Sequence, residues 1–349
     1  MAEDSPRKAV LIGVGMVART HVAACADAVG VALHGIQARS RDRAEALAGK
    51  AAALTGHPVK VYDSLDSVAA DPDVDFAIVL TPPDARADII RPLAEGGKHI
   101  LLEKPMGRNA AEAREVVEIC RSAGVMLGVV FQHRMREASR KAAQLISSSD
   151  LGMLGLVEIA VPWWRDQGYY DEPGRGTYAR DGGGVLISQA IHTIDLALSL
   201  AGPVRSVRAM AATTRFHEME AEDFVTAGLT FANGAVGSLV ASTASFPGEA
   251  ETITLHFDKA TLRLGSGQLH LHRRDGQRAV FGLVGGTGGG ADPMAFTHEW
   301  HQGVIEDFAA ALSEGRAPAI SGEDALPAHD LIDAIITSAR SGGVTELTE

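Results

Sequence analysis

Two stretches of the chain carry side chains that could do chemistry together. In the first, the apolar run His99-Ile100-Leu101-Leu102 stops at Glu103-Lys104-Pro105. Neighbours on a strand point to opposite faces, so Glu103 and Lys104 serve different sides. Pro105 removes a backbone donor and restricts Lys104 to extended geometry. In the second, DGGGVLISQAIHTIDLALSL (181–200), an almost wholly apolar helix is predicted, which implies burial. Ser188, His192, Asp195 and Ser199 follow one another at i, i+4, i+7 and i+11, one narrow stripe of a helix. A polar stripe on a buried helix must meet polar partners or line a wet cleft. A core histidine satisfied by Asp195 is the plain alternative. The stripe, the triple glycine before it and the fixed lysine elsewhere favour a working pair instead: an ammonium for developing negative charge and an imidazole for a proton.

The elements that must position these groups are readable from the pattern. Through residue 134, buried apolar strands alternate with helices over short connections: KAVLIGV, VALHGIQAR, KVYDS, VDFAIVLTPP, HILLEKP and VMLGVVFQHRM are strands, with helical segments between them. That alternation implies a parallel sheet covered on both faces. After residue 150 the texture becomes that of antiparallel strands, with a hairpin signal at ANGA (232–235), one interrupting helix near 184–200 and two helices at the end. The expected division is a nucleotide-binding α/β domain over 1–134 and an α+β domain over 135–349. The glycine-rich run 282–293 reads as a loop rather than a linker.

The first strand leads into Gly13-Val14-Gly15-Met16-Val17-Ala18, a GxGxxA at the start of a βαβ unit. Gly13 suits a tight turn, Gly15 lets backbone approach a pyrophosphate, and Ala18 lets the helix pack closely on the strand. At the end of the second strand an acid would bind ribose hydroxyls, whereas a base accommodates a 2′-phosphate. Here the stretch is Ala38-Arg39-Ser40-Arg41, with Arg43 just beyond. Carboxylate repulsion is absent and guanidinium pairs with phosphate, so NADP is expected over NAD.

Composition limits the alternatives. The 349 residues carry a formal net charge of −12, which argues against nucleic acid or an anionic membrane as partner. Two cysteines without a CxxC give neither a disulfide scaffold nor a cysteine-rich zinc site. The cluster His298-Glu299-Trp300-His301 lacks metal-ligand spacing, so no metal is expected. The N-terminus shows no signal-peptide pattern and no stretch reaches membrane-spanning length, which makes a cytoplasmic location the expectation. Aromatic residues are sparse, yet VPWWRDQGYYDEPGRGTYARDGGG (161–184) holds Trp163, Trp164, Tyr169, Tyr170 and Tyr178 with Arg165, Arg175 and Arg180. Aromatic faces stack on sugar C–H surfaces and arginine reads hydroxyls or carboxylates. Trp164, Arg165, Tyr170 and Arg175 are therefore substrate candidates, with Gln132 and Arg134 at the end of the last strand of the first domain and Ser188 and Gln189 beside His192.

The chain from Lys8 to about Leu347 resembles the Gfo/Idh/MocA oxidoreductases. The resemblance rests on GVGMVA, TPPDARADI, EKP at 103–105, GGGVLISQAIHTIDLAL and the ending DFAAALSEGRAPAISGEDAL. It implies a Rossmann domain, a second domain built on a large open, mostly antiparallel sheet that commonly mediates dimers or tetramers, and hydride transfer between NAD(P) and a carbinol carbon of a sugar, cyclitol or related molecule. It also implies that Lys104 and His192 are the catalytic lysine and histidine. Thr81, Pro82 and Pro83 then match the loop under the cofactor, and Glu103 orients the neighbourhood of Lys104 or contacts the cofactor. Two departures stand out: Ser188 replaces an aspartate common in the family, and Arg86 replaces a histidine. Relatives that cleave glycosides while retaining the cofactor, or that only sense NAD(P), supply the alternative readings.

Overall fold

The computed structural model describes residues 5–148, 150–285 and 297–347, and within them two compact units. Most of the glycine-rich run 282–293 lies outside the described residues. The first unit contains six parallel strands: β1 (Arg7–Ile12), β2 (Val31–Gln37), β3 (Lys60–Tyr62), β4 (Phe76–Val79), β5 (His99–Glu103) and β6 (Leu127–Val130), ordered β3-β2-β1-β4-β5-β6. The order reverses between β1 and β4, the place where open α/β sheets bind ligands beyond their carboxyl ends. β4 and β6 are buried at every position, as strands covered on both faces must be. The helices of this unit are α1 (Ala18–Asp27), α2 (Arg41–Thr55), the short α3 (Leu65–Ala69), α4 (Arg86–Glu95) and α5 (Ala110–Ser122). Gly56 ends α2 in the left-handed region, as its position after the apolar pattern predicts.

The second unit begins with α6 (Glu137–Ser147), a helix the pattern reading leaves unassigned. Its strands are β7 (Leu154–Pro162), β8 (Val204–Ala212), β9 (Phe224–Phe231), β10 (Val236–Ser242), β11 (Thr252–Phe257), β12 (Ala260–Gly265), β13 (Gln268–Arg273), β14 (Arg278–Phe281) and β15 (Thr345–Glu346). They form one nine-stranded sheet in the order β14-β13-β12-β11-β7-β10-β9-β8-β15. Every pairing is antiparallel except β7 with β10. β9 and β10 are the hairpin signalled by ANGA, with Gly234 at φ +89° in its turn. β11 alternates buried and half-exposed residues along its length, so the sheet has one covered face. That face is covered by α6 and by α8 (Ile191–Ala201), which follows the four-residue α7 (Gln167–Tyr170). On the other face Leu156, Met210, Val236 and Val240 are exposed.

The last two helices, α9 (Glu299–Glu314) and α10 (Gly322–Ser341), are where the expected division at 134/135 departs from the observed one. Thr297–Leu326 returns to the first unit. α9 packs along α1, Phe308 lies against Phe76 with ring centres 5.3 Å apart and planes tilted by 59°, and Val129 N–H donates to the Ile320 carbonyl at 3.0 Å. This segment covers the free edge of β6, which would otherwise present unpaired backbone groups. Among the described residues no helix is long and apolar enough to cross a membrane.

Candidate active site

In the first unit, β1 delivers the chain to Gly13 at φ +104°. A Cβ there would be strained and would press on Thr81 Cγ2 at 3.3 Å, so glycine is selected twice over. Gly15 is exposed, and a Cβ added to it would meet nothing within 4 Å. Met16 beside it is 49 % exposed. Val17 opens α1 without a side-chain cap. The open surface over Gly15 and the uncapped helix start are what a pyrophosphate requires, so the residues present fit a dinucleotide.

Beyond β2, Ala38 is half-buried and Arg39 and Ser40 are exposed. The Ser40 oxygen accepts from the Arg43 amide at 3.4 Å, which makes it the N-cap of α2 as well as a candidate ligand group. Arg41 turns to Glu45 at 2.8 Å and to Asp63. Arg43 instead donates to the Val14 carbonyl at 2.9 Å, bringing a guanidinium onto the glycine loop. Arg19, Arg43 and Lys50 share a depression with Val14 and Gly15.

After β4, Thr81, Pro82 and Pro83 are half-buried, and Pro83 opens a 3-10 turn to Ala85. Glu103 closes β5, and the following Lys104–Pro105 bond is cis. The Glu103 carboxylate is buried and lies among protein donors: Oε1 accepts from His21 Nε2 at 2.8 Å, and Oε2 accepts from the Lys104 amide at 3.1 Å. His301 Nε2 stands 3.7 Å from the same Oε1. Burial works to raise the Glu103 pKa. The hydrogen bond from His21 and the charges of His21 and Lys104 are among the effects that outweigh it, and the carboxyl settles at about 2. Burial, with the like charge of His21, lowers His301 to about 3. His301 came from the cluster set aside as a metal site, yet its candidate ligand atom lies within 4.8 Å of those of His21 and Glu103. These are metal-ligand residue types, held here by their own hydrogen bond and charge. No spacing in the sequence joins residues 21, 103 and 301, so this group escaped the reading.

In the second unit, the triple glycine exists to let two backbones touch. A Cβ on Gly184 would sit 1.8 Å from the Glu222 carbonyl oxygen. The Glu222 carboxylate accepts from the amides of Gly184 at 3.2 Å and Leu186 at 3.3 Å, capping the helix that follows. That helix opens with a π turn over Leu186–Ala190 and becomes α-helical from Ile191. The stripe assumed 3.6 residues per turn throughout, and the segment that carries Ser188 leaves that spacing over Leu186–Ala190. Ser199 also leaves the stripe: it is exposed and its hydroxyl donates back to Leu196.

His192 is 6 % exposed and stacks on the His133 ring, centres 4.8 Å apart and 23° from parallel. Behind His133 lies a buried charge chain. Arg136 lies 2.6 Å from His133 Nε2 and donates to Glu251 at 2.6 Å, and Trp163 Nε1 donates to the other Glu251 oxygen at 3.3 Å. Arg134, expected to face substrate, grips Asp195 in a two-pronged contact of 2.8 and 2.6 Å. Gln132 belongs to the first unit, in the 3-10 turn after β6, so the last strand of that sheet is shorter than expected.

The aromatic loop is locally ordered. Tyr170 is buried and its hydroxyl meets Thr243 at 2.6 Å. Trp164 is half-buried, edge-on to Phe246. Arg165 lies over Trp163 at 5.3 Å and Tyr169 at 5.7 Å, and Arg175 lies over Tyr169 at 5.0 Å. Gln189 donates to the Tyr169 hydroxyl at 3.3 Å, while its own Oε1 is buried without a hydrogen-bond partner among the described residues. Tyr169 thus gathers Arg165, Arg175 and Gln189. The sequence marked Tyr169 as one aromatic of five and did not single it out.

Two family models match. One, described as an oxidoreductase family with an NAD-binding Rossmann fold, covers residues 7–131, and the other, the GFO/IDH/MocA C-terminal domain, covers 139–263. The D-apiose dehydrogenase of Paraburkholderia graminis is 26 % identical over 97 % of this chain and 89 % of its own. The inositol 2-dehydrogenase of Rhizobium meliloti is 28 % identical over 94 % and 95 %. Among solved structures, the WlbA dehydrogenase from Bordetella pertussis in complex with NADH and UDP-GlcNAcA superposes with a TM-score of 0.81, at 28 % identity and 99 % coverage of both chains. With its parallel nucleotide-binding sheet, its large second sheet and these matches, the chain belongs to the Gfo/Idh/MocA family of NAD-binding oxidoreductases.

Proposed function

We propose that this oxidoreductase transfers hydride between a carbinol carbon of a sugar, cyclitol or sugar derivative and the nicotinamide, with NADP preferred to NAD. The observation that carries the reading is Lys104 itself: a half-buried lysine directly after the C-terminal end of a strand in a doubly wound sheet, its amide held by the buried Glu103 carboxylate. A bound nicotinamide would supply the hydride chemistry. Lys104 holds positive charge at the substrate oxygen as that oxygen loses its proton, and His192 takes the proton. His133, stacked on His192, fixes the plane of its ring.

The substrate class is supported by the names of the relatives, which act on apiose and inositol, and by the arginines and aromatic faces around Tyr169. The NADP preference rests on Ala38 in place of an acid and on Arg39 and Arg43, against an NADH complex among the similar structures. Homodimers or homotetramers in the cytoplasm are the expected form, built through the face of the large sheet that exposes Met210, Val236 and Val240.

The test is cofactor reduction over a panel of aldoses, cyclitols, uronates and anhydrosugars. Repeated turnover with at least one sugar, and a higher kcat/KM with NADP than with NAD, is expected. Glycoside cleavage without net reduction would select the cofactor-retaining alternative, and binding without turnover the sensor. Equal or better efficiency with NAD would remove the NADP preference alone.

A further inference from the structure

Arg86 follows the Thr81–Pro83 loop and its 3-10 turn. It is 3 % exposed and is the first residue of α4. Both features oppose a cation: burial pushes its pKa down to about 9, and a helix N-terminus repels positive charge. Something must offset these costs. All five N–H donors of the guanidinium are directed at backbone carbonyls of two loops. Nε and Nη2 donate to Thr81 O at 3.1 and 2.8 Å. Nη1 donates to Glu103 O and Pro105 O, and Nη2 also reaches Lys104 O at 3.4 Å. Three successive carbonyls around the lysine are therefore tied to one planar fork, and the same fork is tied to the Thr81–Pro83 loop.

We propose that Arg86 is a positioning residue for Lys104: it locks the Glu103–Pro105 backbone and the Thr81 loop into one rigid piece. The inference rests on the reading of Lys104 as the group that acts on substrate. A lysine at position 86 would bring three donors on a flexible stem, and a histidine at most two, so neither reproduces a planar five-donor fork. A misplacement of about 1 Å in a reacting group costs on the order of 10²-fold in rate.

The experiment compares Arg86→Lys, Lys104→Met and the double variant, using the panel sugar that wild type turns over fastest. Thermal melting, NADPH binding by fluorescence, and kcat and KM across pH are read. Arg86→Lys is expected to lower kcat by about 10- to 100-fold with KM within about threefold, and to move the pH limb that depends on Lys104. In the Lys104→Met background the same change should lower the residual rate by no more than about twofold, because its effect runs through the lysine. If Lys104→Met is inactive while Arg86→Lys keeps near-normal kcat, or if the two losses multiply in the double variant, the positioning role is wrong and the function of Lys104 survives. If Lys104→Met itself turns over normally, both fall. Should Arg86→Lys melt far below wild type, Arg86→Gln is measured in the same way. Unfolding of both would make Arg86 a residue that holds the fold, and would overturn the inference.

Discussion

The lysine and the histidine are held by opposite means. Around Lys104 the main chain is gripped: its amide by Glu103, its own carbonyl and those on either side by Arg86. Around His192 the side chain is gripped: a stacked histidine, and behind it Arg136 and Glu251. A lysine carries its charge on a long stem, so in the role proposed for Lys104 a fixed main chain sets the region that the charge can reach. An imidazole acts along one ring direction, so the ring plane must be fixed. The difference in scaffolding matches the different tasks proposed for the two residues.

The largest effects should come from the two groups themselves. In the proposed mechanism Lys104 supplies charge stabilisation, so Lys104→Met is expected to lose about 10²- to 10³-fold in kcat. His192 is the proton acceptor of the proposed mechanism, so His192→Asn is expected to lose about 10²- to 10⁴-fold and the acidic limb of the rate profile. NADPH binding should stay within about threefold in both. Stopped-flow single turnovers measure the chemical step directly. Near-normal single-turnover rates in either variant would undo that half of the comparison.

How much of this was legible follows the same contrast. Pro105, Gly13 and Gly15 are local constraints, and local constraints leave local marks: a proline after a lysine, glycines after a strand. The ANGA hairpin and the Gly56 cap were readable for the same reason. What was missed is held at long range. Arg86 reaches carbonyls 17 to 19 residues away, Glu251 pairs with Arg136 across 115 residues, and His301 joins His21 and Glu103 from the far end of the chain. Hydrogen bonds to backbone carbonyls impose no periodicity, so no pattern announces them. The π turn at 186–190 was hidden differently: Leu186-Ile187-Ser188-Gln189-Ala190 has ordinary helical composition, and its wider turn goes with the Glu222 cap and the close approach at Gly184. α9 was read as a helix, but nothing in its amphipathic pattern says which sheet it covers.

The charge cluster beside Lys104 gives the next effect, in stability against pH. His301 is held at about 3, below the ordinary 6.5. Between these values the unfolded chain binds a proton that the folded one refuses, so stability falls as pH drops from 6.5 towards 3. The slope is at most about 1.4 kcal/mol per pH unit. Glu103, held at about 2, adds stability that is complete above 4.5 and is lost as pH falls from 4.5 to 2. Urea unfolding at pH 7 and pH 5 should therefore show wild type losing about 2 kcal/mol more than His301→Gln over that interval. Equal losses would mean that His301 is not kept neutral by its surroundings.

The smallest effect sharpens the comparison most. His133→Leu keeps a buried apolar group of similar bulk against His192 but removes the ring and its contact with Arg136. Stacked aromatic pairs contribute about 0.5–1.5 kcal/mol beyond burial, so a kcat loss of about 2- to 10-fold is expected, with KM little changed. If ring orientation is what the stack supplies, the loss should appear in the proton-transfer step. A solvent isotope effect on kcat should then rise above that of wild type, because proton movement becomes more limiting. A lysine-end variant such as Arg86→Lys disturbs the charge rather than the proton, and should leave the solvent isotope effect near the wild-type value. The same isotope response in both variants would show that the two ends are not held for different tasks.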